Sequence, residues 1–394
     1  METAPESATH PRTDDLEYTW VDLDACAFQG RVTIEFDPLT EEAAADLREV
    51  TLNAVDLAVH SAVLVARGAA PARVRAARWT VEPQRQTLTV EWDDAFPRAR
   101  PLAVEIAFSG RLNEQLTGFY KSVVSPGRVM GVTQFEPTDA RRALPCYDEP
   151  ARKATFRLTL AADPKYAVLS NTRPAKIELR TGTLPSGATR QEKRWTFHRT
   201  PRISTYLYAW VVTDHVVDVL ADTSPRTGVE TLVHVARGNA SKAGFALDCA
   251  VRALDFFADA FGVPYPLDIM QHVAVPDFAA GAMENVGCIV YREARLLVDE
   301  STTATARRDV ARVIAHEISH QVRVERLGKR LPRADARLGL AVVRKPDHDG
   351  VVSWPSPTRA RLGNSRNAGG TASGSTRGSR ASASSRPWKR SSRT

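Results

Sequence analysis

His316 and His320 stand four residues apart, with Glu317 directly after the first. On a helix this spacing points both imidazoles the same way, one turn apart. Two imidazoles so placed can hold one zinc ion. The carboxylate between them can then take a proton from a water that the metal has acidified. A pattern with three defined positions is short, and a solvated helix face could carry it without any metal. The neighbouring elements and the rest of the chain weigh between the two readings.

The helix that must hold these residues has local support. Ser301, Thr302 and Thr303 offer capping hydroxyls, and Asp309, Val310, Val313, Ile314 and Glu317 recur at helical spacing. No Pro or Gly interrupts residues 304–321. A second helix is predicted over 243–261, where Phe245, Cys249, Leu254, Phe257 and Phe261 lie near helical spacing and Gly262 and Pro264 end the run. Strands are predicted at 231–235, 271–275 and 287–291, which mixes strands and helices in an α+β region.

Upstream, residues from about 15 to 220 read as β structure. Alternating or β-branched runs occur at 32–36, 88–92, 104–108, 156–160 and 206–212, separated by turn residues such as Gly30, Asp94, Pro97, Gly110, Gly118, Pro164 and Pro185. The expectation is a large antiparallel sandwich or saddle, without internal repeats. His234 and His272 fall in strands with no motif around them and read as ordinary strand histidines.

Composition bounds the rest. Hydrophobic residues at 43% and charged residues at 25% describe an ordinary globular chain. No apolar run is long enough for a membrane span, and the first residues are polar with no apolar leader, so a cytoplasmic chain is the expectation. Cys26, Cys146, Cys249 and Cys288 have no paired spacing and read as reduced thiols. The net charge of +7 is unevenly placed: from Val322 onward there are 17 Lys+Arg against 4 Asp+Glu, which leaves the first 321 residues at −6. The basic segment has no interleaved aromatics beyond Trp354 and Trp388, so specific nucleic-acid binding is not expected. From Pro355 the chain is rich in Ser, Arg, Gly and Ala, which predicts a disordered tail.

Several stretches together resemble one known family. Gly281-Ala282-Met283-Glu284-Asn285 followed by His316-Glu317-x-x-His320 is similar to the zinc aminopeptidases of the aminopeptidase N and puromycin-sensitive type. The runs from Gly131 to Arg142, Pro145 to Pro150 and Pro201 to Leu207 agree with it, so the resemblance covers about residues 15–321. It implies a β saddle (15–224) and an incomplete thermolysin-like zinc peptidase region (225–345), which lie between a polar N-terminal tail (1–14) and a disordered basic tail (346–394) that composition predicts. It also implies one Zn2+ per chain on His316 and His320, and Glu317 as general base. Glu284 would bind the substrate's α-amino group. Gly281 and Ala282 would touch the peptide through their backbone, flanked by Met283 and Asn285. Gln134 and Glu136 would line the first side-chain pocket, with Glu136 a second amine ligand. The expected partners are peptides with a free N-terminus, and no membrane.

This sequence departs from the family pattern after Gln321. The family's third zinc ligand is a Glu on the next helix, and the matching position here is Gly339, which has no donor side chain. Val322-Arg323-Val324-Glu325 replaces the family's Trp-Phe-Gly-Asn, and Val286 replaces its usual Trp. Glu325 and Asp335 are the nearest carboxylates but not at matching spacing. The abrupt change of composition fits a reading-frame shift at Val322. The primary expectation is a zinc metallo-aminopeptidase, with a catalytically incomplete peptide- or partner-binding fragment as the alternative. The related lipid-epoxide hydrolases share the zinc motif, but no residue here favours them.

Overall fold

The computed structural model describes residues 9–38, 47–66, 73–93, 102–183 and 189–322. They belong to one compact unit, Met1–Leu331. The predicted tail, Gly339, Glu325 and Asp335 lie outside the described residues. The described chain is mostly strand, with two α-helices, Gly244–Phe261 (α1) and Ala304–Val322 (α2).

The N-terminal part is built on an eight-stranded sheet. Its order is Pro174–Thr183, Thr189–Phe197, Thr155–Ala162, Thr9–Asp22, Ala27–Pro38, Leu102–Arg111, Ala58–Ala66 and Arg73–Ala76. Period-two patterning decides its inner face: Leu16 and Tyr18, Val32, Ile34 and Phe36, and Val104, Ile106 and Phe108 are all buried. A four-stranded sheet, Ala167–Ser170, Trp210–Thr213, Arg128–Gln134 and Gly118–Ser125, packs on it. The contact is aromatic: the Tyr18 ring lies 5.3 Å from Trp210 and 5.8 Å from Phe119. The sandwich expectation holds, with one difference. Thr9–Asp22 pairs in parallel with Thr155–Ala162, because the strand order inserts a late strand beside the first one.

A second correction concerns residues 206–212. Their apolar alternation reads as one strand, but Thr205–Leu207 is a 3-10 turn and the strand starts at Trp210. Side chains from elsewhere shape this bend. The Thr205 hydroxyl donates to the Tyr147 carbonyl at 2.7 Å, and Asn171 holds the Leu207 carbonyl and the Ala209 N–H, both at 2.9 Å. These bonds satisfy backbone groups that a sheet partner would otherwise take.

A five-stranded mixed sheet forms the frame of the site. Its order is Val216–Thr223, Glu230–Ala236, Ile269–Val275, Cys288–Arg292 and Ala282–Met283. The central pairs are parallel. Every residue of Ile269–Val275 is buried, as expected of a strand covered on both faces. Val273 and Val275 join the core of the β region, while Met270 and Ala274 lie under the helices. α1 ends at Gly262, whose φ of 60° lets its N–H close on the Ala258 carbonyl. The four cysteines are free thiols, Cys146 and Cys288 buried. No helix of the described residues is long and apolar enough to cross a membrane.

Candidate active site

α2 begins where the hydroxyl of Thr303 accepts the Ala306 N–H at 3.2 Å, so the third of the candidate hydroxyls is the one at the cap. Val310, Ile314 and Ile318, spaced by four, pack into the core shared with α1 and the sheet. That packing fixes the rotation of the helix. It turns Glu317 and Gln321 inward and leaves His316 and His320 on the open side. The imidazoles meet there: Nε2 of His320 is 3.1 Å from Nε2 of His316, with ring centroids 4.6 Å apart. Zinc bonds of about 2.0–2.1 Å from both nitrogens to one ion close at roughly that separation. The donor set therefore fits a zinc ion at these two side chains.

A tight hairpin brings the second group of residues to the helix. Ala282–Met283 pairs antiparallel with Cys288–Arg292, and the turn between them closes through bonds from Asn285 N–H to Met283 O and from Cys288 N–H to Asn285 O. Gly287 makes the turn possible. Its φ is +72°, and a Cβ there would lie 2.0 Å from the Asn171 carbonyl oxygen. The turn aims Glu284 at the imidazoles, with its Oε1 3.8 Å from Nδ1 of His320. Ligand atoms of Glu284, Glu317 and His320 all lie within 4.8 Å of one another.

The remaining candidates surround this cluster. Met283 is buried, and its Sδ accepts from Nε2 of Gln134 at 3.6 Å, which brings the β region to the site. Gln134 is 6% exposed, and its Oε1 finds no partner among the described residues. Asn285 is also buried, and its Nδ2 has no partner among the described residues. Glu136 is exposed, yet its charge reaches both Glu317 and Tyr206. The carbonyl of Gly281 is engaged by the Arg292 N–H at 3.1 Å, so that oxygen is already used within the hairpin. Ala282 is half-buried on the edge strand. His234 and His272 are buried in strands of the sheet, and Nδ1 of His272 lies 3.0 Å from the Tyr291 hydroxyl.

The electrostatics are those of a crowded acidic pocket. Burial raises the Glu317 pKa to about 8, and the nearby carboxylates of Glu284 and Glu136 add to the shift. The charges of Glu284 and Glu136 around the buried Glu317 make a pocket that favours a cation, either a metal ion or an ammonium group. Tyr206 was not singled out from the sequence. Its phenol is half-buried, with its pKa raised by burial and by Glu284 and Glu136, so it lies beside the same pocket. Only its place within the Pro201–Leu207 stretch could have drawn notice.

Comparisons with known proteins identify the family. A family profile described as the peptidase M1 N-terminal domain matches residues 13–207, and one described as the peptidase family M1 domain matches 245–323. The chain is 39% identical over 318 residues to Aminopeptidase M1 of Arabidopsis thaliana, covering 79% of this chain and 34% of that protein. It is 41% identical over 249 residues to Aminopeptidase N of Lactococcus lactis subsp. lactis, covering 60% of this chain and 28% of that protein. Aminopeptidase 2, mitochondrial, of Saccharomyces cerevisiae is 35% identical over 76% of this chain and 30% of its own length. The chain thus spans about a third of the length of the curated relatives it matches.

Proposed function

The chain belongs to the peptidase M1 family of the aminopeptidase N type, and on that premise we propose that it is a zinc metallo-aminopeptidase releasing N-terminal residues from peptides. The observation that carries this reading is the convergence of Glu284, Glu317 and His320 within 4.8 Å, beside two imidazole nitrogens 3.1 Å apart. His316 and His320 would hold the ion. Zinc supplies a Lewis acid that polarises a carbonyl and acidifies water.

The chain's own residues supply the rest. Glu317 takes a proton from the attacking water and delivers it to the leaving amine, its carboxylate form being favoured once a cation offsets the neighbouring charges of Glu284 and Glu136. Glu284 binds the substrate ammonium by a charge-assisted hydrogen bond. Because Glu284 sits on a tight turn facing the helix, it fixes how far the N-terminus can lie from the reacting carbonyl. Gln134, whose buried carbonyl oxygen has no partner among the described residues, offers a further acceptor at the amine end, and Glu136 adds a second negative charge. Met283 is buried beside Gln134 and accepts from its Nε2.

Turnover should be low in this chain. Catalytic zinc sites use three protein ligands, and Gly339 stands where the family has the third. The test is Glu317→Gln with an aminoacyl-anilide substrate. Removing a general base lowers the rate on the order of 10²–10⁴-fold. The variant should keep its zinc and lose anilide release. Equal turnover in both proteins refutes the assignment of Glu317.

A further inference from the structure

Gln321 directly follows His320 and is 2% exposed. Its side chain makes three hydrogen bonds that the proposed chemistry does not use. Nε2 donates to the Asn285 carbonyl at 3.0 Å. Oε1 accepts the Gly287 N–H at 3.2 Å and the Tyr265 hydroxyl at 3.1 Å. Two of the three partners lie in the turn that follows Glu284 directly.

The other side of that turn is held by a second amide. Asn171, from the β region, donates through Nδ2 to the Val286 carbonyl at 2.7 Å and to the Leu207 carbonyl at 2.9 Å. Its own carbonyl oxygen leaves no room for a side chain at Gly287. The turn is therefore gripped from the helix by Gln321 and from the β region by Asn171. The Gln321 amide meets both demands of the site, a donor for the Asn285 carbonyl and an acceptor for the Gly287 N–H and the Tyr265 hydroxyl. A carboxylate would set two acceptors against each other at Asn285.

We propose that Gln321 is a positioning residue that sets the separation between Glu284 and the imidazoles of His316 and His320, and so sets the site's demand for a free α-amino group. This rests on the peptidase reading, since that separation matters only if Glu284 anchors the amine. Gln321 is one residue from His320 and bonds the residue after Glu284, so one side chain references both halves of the site to each other. An amino-terminal ligand must reach both at once. A misplacement of about 1 Å between such groups costs on the order of 10²-fold.

The experiment uses the full chain loaded with cobalt(II) and two probes, leucine hydroxamate and N-acetyl-leucine hydroxamate. Both chelate the metal, and only the first carries a charged amine, so the ratio of their affinities reads the amine contact alone. Wild type should favour the free amine. Gln321→Met keeps the volume and removes donor and acceptor. It should lower the preference by roughly tenfold or more, with cobalt affinity and binding of the acetylated probe unchanged. Tyr265→Phe removes only one of the three bonds and should lower the preference less, in the same direction, and it carries the test should Gln321→Met not fold. A preference retained in both variants, or an equal loss for both probes, overturns the positioning role and leaves the peptidase reading standing. A wild type that holds no cobalt, or shows no preference for the free amine, overturns both.

Discussion

Zinc binding should expel a proton from Glu317. In the metal-free site that carboxyl titrates at about 8, raised first by burial and then by Glu284 and Glu136. At pH 7 such a group is about 90% protonated, and at pH 8.5 roughly a quarter. A divalent cation beside it reverses the balance, because it favours the charged form. Binding at pH 7 should therefore release about 0.9 proton from this residue, beyond what the imidazoles release, and about 0.2 at pH 8.5. The same linkage weakens zinc at pH 7 by about 1.4 kcal/mol, a factor of about ten, relative to a site already ionised. Glu317→Gln keeps the shape and carries no titrating proton. Calorimetry in two buffers of different ionisation enthalpy counts the protons. The wild type should release about 0.9 more than the variant at pH 7, with the gap closing at pH 8.5. Equal release in both proteins refutes the view that the acidic pocket stores a proton on Glu317, and no zinc binding by either refutes the metal site.

Three further outcomes concern the frame. Asp14 is 1% exposed, its Oδ1 has no partner among the described residues, and burial followed by the charge of Asp15 raises its pKa to about 8. The folded chain holds a proton there that the unfolded chain releases, so stability falls as pH rises from about 4 to 8. Asp14→Asn removes this. Its advantage in denaturant unfolding should grow by about 3 kcal/mol between pH 5 and 7, and an advantage independent of pH refutes the account. Burial lowers His272 to about 3 and His234 to about 4, so both are neutral when folded, and stability present above pH 6.5 is lost as pH falls. His272→Gln should lose about 2 kcal/mol less than wild type between pH 6.5 and 5, read from urea midpoints; equal acid sensitivity refutes it. Gly287→Ala combines a φ of +72° with a contact at 2.0 Å to the Asn171 carbonyl, and should cost on the order of 3 kcal/mol or more. An unchanged urea midpoint would show that the turn can relax.

Much of the frame was legible because its signals are local. α2 was readable from an uninterrupted run with apolar residues at helical spacing and a hydroxyl before it. The strands at 104–108 and 271–275 were readable from β-branched runs that fill their inner faces. The hairpin of Ala282–Met283 with Cys288–Arg292 and the motif helix came as recognisable stretches, so their residue types were known before their positions. Less was legible where distant groups decide. Residues 206–207 alternate like a strand and form a turn, because Thr205 bonds Tyr147 and Asn171 bonds Leu207.

By itself the sequence determined which residue types exist to do chemistry: two imidazoles one turn apart with a carboxylate between, and an acid on a glycine-flanked stretch. It also determined that position 339 carries no donor. The tertiary structure alone decided that Glu284 faces His320 at 3.8 Å and that Glu136 from the β region adds its charge to Glu317. It alone gave work to Asn171 and Gln321, whose bonds to Val286 and Asn285 span 115 and 36 residues of chain. The physical reason is range. Backbone preference and amphipathic period act over a few residues and leave a trace in composition, whereas an amide that bridges two elements looks like any other amide until the fold brings its partners to it.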